Sequence, residues 1–355
     1  MSTNITLSNT DKHFFLHSEK YKYEEDNKKY KTKLVNFCFY TINEANISEK
    51  IKKIRYYSNN FAILEDYDFV NISQLNDKII EKLSLSIENE YLIFRYINEK
   101  VIKFNEFLLN IYNPKLFILH TIESFSYILK SLIKLNDNNI CFFNLSPQNI
   151  VFNLDCGEKP IIRNFKLSLN ISKLNETYIT NIINKIDEYT HKPLEVHILF
   201  YLIKNDISTI SYSFIEEITE VLIKNLDILN LFSNNYRETY KITCIEYLKK
   251  YINKPKSYII TDILEYYDKW DVYSLSLLYL HIFGNISRIF SLKHNFISKI
   301  VNELTKNISP DPSKRTNLEN LQENYETFLN NENNWSFANN LSFNKMSQLI
   351  DVLGK

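Results

Sequence analysis

A two-lobed α+β fold is what this sequence predicts: a small antiparallel β-sheet with one helix, then a larger, mainly α-helical lobe. Three observations carry the prediction. The first third holds short runs rich in aromatic and β-branched residues between polar stretches, "KLVNFCFY" from Lys33 and "YLIFRYI" from Tyr91, the pattern of strands. Beyond Asn98 the pattern changes to long helical periods. At 355 residues the chain is also long enough to bury a core in each of two lobes.

In chain order, residues 1–30 read as an N-terminal extension, 31–98 as the β-rich lobe, 99–330 as the helical lobe and 331–355 as a tail. Between the two strand runs, "ISEKIKKIRYY" places Ile47, Ile51 and Ile54 at the spacing of one amphipathic helix. In "KLFILHTIESFSYILKSLIKL", from Lys115, the residues Leu116, Ile118, Ile122, Phe125, Ile128, Leu129 and Leu132 keep one apolar face throughout. "DKWDVYSLSLLYLHIF" is apolar nearly all round after Val272, as a helix inside a domain must be. The Asn-rich stretch after Asn330 ends in a weakly amphipathic segment, expected to be a short docking helix.

Lys+Arg 42 balances Asp+Glu 42, so no electrostatic footprint for nucleic acid or an anionic membrane is expected. Cys38, Cys141, Cys156 and Cys244 are scattered with no C-x-x-C pair, which points to reduced core thiols in a cytoplasmic protein. The polar start "MSTNITLSNTDK" has no apolar segment of a secretory signal. The runs "HILFYLI" and "SLSLLYLHIFG" fall short of the roughly 18 apolar residues of a membrane span.

The chemistry lies in five segments that follow the long helix: "NNICFFNLSPQNIVFN", "PIIRNFKLS", "HKPLEV", "WDVYSLSLLYL" and "SPDPSKRT". In this order they resemble the protein kinase family, over about Lys33 to Leu329 and most closely after Asn138. The resemblance implies a bilobal protein-kinase-like fold and a role for each segment. In the family's catalytic loop, H-R-D-L-x-x-x-N, the Asp receives the substrate hydroxyl proton and the Asn binds magnesium. Here the His, Arg and Asp positions hold Phe142, Phe143 and Asn144, while Leu145, Pro147 and Asn149 match. The family's metal-binding Asp-Phe-Gly falls on Asn164-Phe165-Lys166. An amide is no base at neutral pH and is a weak ligand for a hard cation.

No glycine precedes Gly157, so the Gly-rich loop that lets backbone amides approach ATP phosphates is missing. The third-strand lysine falls on Cys38 in the natural register of "KLVNFCFY", with Lys31 or Lys33 reached only by a shift. Its helical glutamate partner is Glu44 or Glu49. Arg95 stands where the hinge-like strand often has Glu. The resemblance also implies scaffold roles: Asp271 accepts backbone N–H bonds from the loop, Glu195 pairs with Arg315 in a buried salt bridge, and Phe142 and Phe165 join an apolar spine between the lobes. With Phe143 in place of the loop Arg, control through phosphorylation of Thr177, Tyr178 or Thr180 is not expected to work by the usual route.

This contrast, scaffold present and carboxylates absent, reads as a pseudokinase that works by binding a protein partner, an active kinase or its substrate, with neither ATP nor magnesium required. The rival reading is a divergent Ser/Thr-type kinase that uses ATP and magnesium through another acid such as Asp155. A third is a nucleotide-binding switch without turnover, resting on Asn149. Asn149 also reads as a turn residue bonded to its own loop. His120, on the apolar helix face, reads as a satisfied core histidine, and His191 and His197 as structural residues without metal-ligand spacing.

Overall fold

The computed structural model describes residues 6–10, 13–17, 30–70, 81, 86, 88–186, 192–292, 295–330 and 341–354. It is mixed α+β with small sheets and a helical majority. The chain divides into two compact units: residues 1–102 with 151–168, and 103–150 with 169–355. The expected division near Asn98 therefore misses a return of the chain, since 151–168 belong with the first unit.

In the first unit, β1 (Thr6–Thr10) and β2 (His13–His17) form an antiparallel hairpin inside the stretch read as an extension. β3 (Tyr30–Asn36) follows, then α1 (Phe39–Ile51), β4 (Phe61–Ala62), β5 (Asp66–Val70), β6 (Tyr91–Ile97) and β7 (Val101–Lys103). β6 lies between β3 and β5, antiparallel to both, with Tyr30 opposite Ile97 and Asp66 opposite Arg95. Leu92 and Phe94 of β6 point to one face and pack on Ala45 of α1 and Leu64, with Val35, Ile42 and Tyr67 around them. This is the two-residue period of a strand meeting the helix stripe.

The strand expected over "KLVNFCFY" stops at Asn36, and a helix begins at Phe39 within the same stretch. The reason is a local cap. The Cys38 N–H donates to Thr41 Oγ1 at 3.0 Å, and Thr41 Oγ1 donates to the Asn36 carbonyl at 2.9 Å. A capping box of this kind starts a helix, and it overrides the strand preference of Phe39 and Tyr40.

In the larger unit come α2 (Phe104–Leu109), α3 (Pro114–Asp137) and β8 (Ile140–Cys141). Back in the first unit, β9 (Ile150–Asn153) and β10 (Lys159–Arg163) complete a four-stranded sheet ordered β4-β10-β9-β7, with β4 and β10 parallel. β11 (Leu169–Asn170) pairs antiparallel with β8. The remaining helices are α4 (Glu176–Asn184), α5 (Leu194–Lys204), α6 (Tyr212–Asn225), α7 (Asn234–Leu248), α8 (Lys256–Leu264), α9 (Trp270–Ile289), α10 (Phe296–Asn307), α11 (Leu318–Asn330) and α12 (Phe343–Leu353).

Polar caps mark the helix starts. Asn113 Oδ1 accepts from the Leu116 N–H with Pro114 at the first helical position of α3, and Asn175, Ser211, Ser233 and Asn295 cap α4, α6, α7 and α10 in the same way. α3 buries Ile118, Ile122, Phe125, Ile128, Leu129 and Leu132, and Phe125 packs its ring on Tyr279 of α9 and Tyr325 of α11. Leu116, expected on that face, is 49% exposed: two residues before Ile118 is about 200° round the helix, so it lies on the opposite side, while Pro114 and Phe117 of the same turn are buried. α3 has the length and hydropathy of a membrane span, and 56% of its most apolar window is buried inside the fold. α12, in the tail, buries Met346 and Leu349.

Candidate functional site

The turn from Cys141 to Asn149, in the larger unit, is built around a conformational cost. Phe143 sits at φ 62°, a left-handed backbone that costs a bulky side chain about 1–3 kcal/mol. Asp271, in the first turn of α9 and buried, holds it there. Its Oδ2 accepts the Phe142 N–H at 2.7 Å and its Oδ1 the Phe143 N–H at 2.8 Å. Hydrogen bonds to a charged acceptor contribute about 1.5–3 kcal/mol each, enough to outweigh the strain. Burial raises the Asp271 pKa, and the two backbone N–H groups and Lys192 pull it back only in part.

The Phe143 ring meets two partners. Trp270 packs against it at 5.2 Å, and the Lys192 ammonium sits over it at 4.1 Å from the centroid. Lys192 is 4% exposed. Its pKa is lowered to about 8 by burial, with Asp271 opposing. His197 Nε2–H donates to the Lys192 carbonyl at 3.1 Å, and burial lowers its pKa to about 4, so it is a neutral structural residue. Sequence reasoning quoted Lys192 but gave it no role; the residue acts through a contact 49 positions back in the chain, which no local pattern shows.

Asn144 and Asn149 are tied to each other. The Asn149 Nδ2 donates to the Asn144 carbonyl at 2.8 Å and to Ser146 Oγ at 3.2 Å. Asn149 therefore serves as a turn-closing residue. Glu195 and Arg315 are brought together as a fully buried bidentate pair, with N–O distances of 2.6 and 3.0 Å. Arg315 also donates to the Ser309 carbonyl at 2.8 Å and lies 4.9 Å from the Tyr273 ring centroid. Residues 196–270, between Glu195 and Asp271, hold most of α5 and all of α6, α7 and α8, a helical block the sequence reading did not separate.

In the first unit, Asn164 is also left-handed, at φ 69°. The turn that follows is fastened by a residue the sequence reading missed: Asn43 of α1 donates to the Lys166 carbonyl at 3.0 Å and the Ser168 carbonyl at 2.9 Å. Phe165 is buried edge-on against Phe61 at 5.9 Å, and Phe142 is buried within the larger unit. Lys166 lies in a short 3-10 turn and is exposed.

Cys38, expected at a strand lysine position, is the N-cap of α1. The capping box moves it out of the sheet. Glu44 accepts from the Tyr96 hydroxyl at 3.1 Å; burial raises its pKa, while Tyr96, Lys166 and Lys33 oppose. Glu49 pairs with Lys52 at the surface. Lys31 and Lys33 lie on β3. Arg95 is 7% exposed and bridges Asp66 at 2.9 Å and Asp68 at 2.8 Å across the sheet. Asp155 accepts the Lys100 N–H at 3.2 Å and lies in the Leu154–Cys156 turn, which Asn153 caps and which ends on left-handed Gly157. Thr177, Tyr178 and Thr180 lie on α4, and the Tyr178 hydroxyl accepts the Asn170 N–H. His120 is half-exposed beside the Phe107 ring, not in the core. His191 lies outside the described residues. Among the described residues, no three His, Cys, Asp or Glu side chains gather as a metal site.

A scan against protein-family models gives no match, and no curated protein matches the chain. Among solved structures, the twitchin kinase region from C. elegans is similar with a TM-score of 0.44 at 11% identity, over 91% of this chain. The chain spans 44% of that structure's length. At this level of similarity no family assignment follows.

Proposed function

We propose that this chain is a catalytically inactive protein-kinase-like protein, its two units being the two lobes of such a fold, and that it acts by binding another protein. The observation that carries the reading is the chemistry of the clamped turn. From Phe142 to Asn149 no side chain ionises near neutral pH, while its backbone is held by Asp271 and its Phe143 ring by Trp270 and Lys192. Phosphoryl transfer rests on positioning and on charge. Here the positioning is kept and the charge is not.

Asn144 can orient a hydroxyl but cannot take its proton. The donor set suits magnesium poorly: amides replace carboxylates, and the Asn149 amide nitrogen is already engaged within its own turn. Asp155, the candidate replacement acid, is engaged with the Lys100 backbone. A protein partner, such as an active kinase or a substrate of one, suits a surface that keeps its shape without turnover. The exposed aromatic pair Phe37 and Phe69, 39% and 66% exposed with centroids 5.5 Å apart, offers one place for such contact.

The test is thermal melting in millimolar ATP, with and without magnesium. No shift is expected. A ligand present at about a hundred times its dissociation constant would stabilise the fold by roughly 2.7 kcal/mol, an easily seen change. A magnesium-dependent shift with transfer of the γ-phosphate to a protein substrate would replace this reading with the divergent kinase.

A further inference from the structure

A cavity of about 330 Å³ opens within the larger unit. Its floor is made of buried side chains from three separate stretches: Phe104 and Leu108 of α2, Leu226 and Ile228 after α6, and Leu278 and Ile282 of α9. The rim is polar, formed by Asn105, Asn225, Asp227 and His281. At Gly284 of α9 a Cβ would meet Leu231 Cδ1 at 2.7 Å, the far end of a side chain that can move aside.

The volume lies at the low end of the roughly 300–1,000 Å³ typical of small-molecule sites. An aliphatic floor selects an apolar body. The rim adds a sign. Asp227 is the one lining residue charged at neutral pH, because burial lowers the His281 pKa and Asp227 restores it only in part. A mouth with one negative charge repels phosphates and carboxylates and attracts cations. Pro147, in the clamped turn, also lines the cavity, so an occupant would touch that turn.

We propose that this cavity binds a small organic amine, with its apolar body on the aliphatic floor and its cationic head at Asp227. The site is independent of the partner-binding reading above and survives its failure. Two probes of the same body and opposite charge test it: 4-phenylbutylamine and 4-phenylbutyrate, titrated to millimolar concentration against the full chain and followed by calorimetry and ligand-observed NMR. The amine is expected to bind saturably and about tenfold more tightly than the carboxylate.

Asp227→Asn, at an exposed position, is expected to bring the two probes within about twofold of each other while leaving the melting temperature unchanged. Leu278→Trp, which fills the floor, is expected to abolish amine binding. Should that variant fail to fold by circular dichroism, Asp227→Asn carries the test alone. Failure of the amine to bind, equal binding of both probes to the unmodified chain, unchanged discrimination in Asp227→Asn, or full binding to a folded Leu278→Trp would each overturn the proposal.

Discussion

The turn after β8 and the turn after β10 are strained alike and held differently. Each carries a non-glycine residue in the left-handed region, Phe143 at φ 62° and Asn164 at φ 69°. The first is gripped by a buried carboxylate, Asp271. The second is fastened by a neutral amide, Asn43. In both, the residue at the position where the resemblance implies a carboxylate, the proton-accepting one at Asn144 and the metal-binding one at Asn164, is an amide. The difference teaches that backbone shape and side-chain chemistry are separable here: partners far away in sequence hold each turn, and charge is kept where it holds backbone.

Removing the charged anchors of the larger unit should break this comparison most severely. Glu195→Ala strands a buried guanidinium and is expected to cost about 3–5 kcal/mol in urea unfolding. Pairing Arg315→Met with Glu195→Leu should recover most of that loss, since no unpaired charge remains. Recovery of less than half would mean that packing, not charge, sets the cost.

Asp271→Asn comes next, at about 3 kcal/mol. One of the two backbone N–H groups loses its acceptor and faces an amide NH₂ instead. Amide exchange at Phe142 and Phe143 should accelerate in step with the stability loss, whereas exchange around Asn164 should stay unchanged.

Lys192 sharpens the comparison through pH. Its ammonium titrates near 8 in the fold and near ~10.4 in an unfolded chain. Between these values the unfolded chain binds more protons, so the stability that Lys192 contributes rises as pH climbs from about 8 towards ~10.4. The difference in unfolding free energy between the protein and Lys192→Met should therefore shift by about 2 kcal/mol across that window and lie flat below it. A flat difference throughout would show that the ammonium is solvated in solution.

Asn43→Ala, the neutral anchor, has the smallest expected effect, about 1–2 kcal/mol from two carbonyls losing their donor. Its mark should be local: faster exchange over residues 164–168 with the larger unit untouched. An effect as large as that of Asp271→Asn would erase the distinction between charged and neutral anchors.

Particular residues show where sequence reading succeeds and stops. The apolar face of α3 is legible because Ile118, Ile122, Phe125 and Leu132 recur at helical spacing, whereas Leu116, about 200° round the helix from Ile118, falls outside that stripe and is exposed. Phe39 and Tyr40 look like strand, and a four-residue cap from Cys38 to Thr41 makes them helix. Asn43 was invisible because its partners lie 123 and 125 residues away.

By itself, the sequence determined the α+β character, the helix faces, and the amides at Asn144 and Asn164 where the kinase resemblance implies carboxylates, because each is a matter of residue type and short spacing. Only the tertiary structure decided which side chains hold the strained turns, that Lys192 rests on Phe143, that residues 151–168 return to the first unit, and that a cavity opens beside α9. Those depend on contacts between segments far apart in the chain, where the free energy lies in the meeting of two surfaces and neither sequence alone carries it.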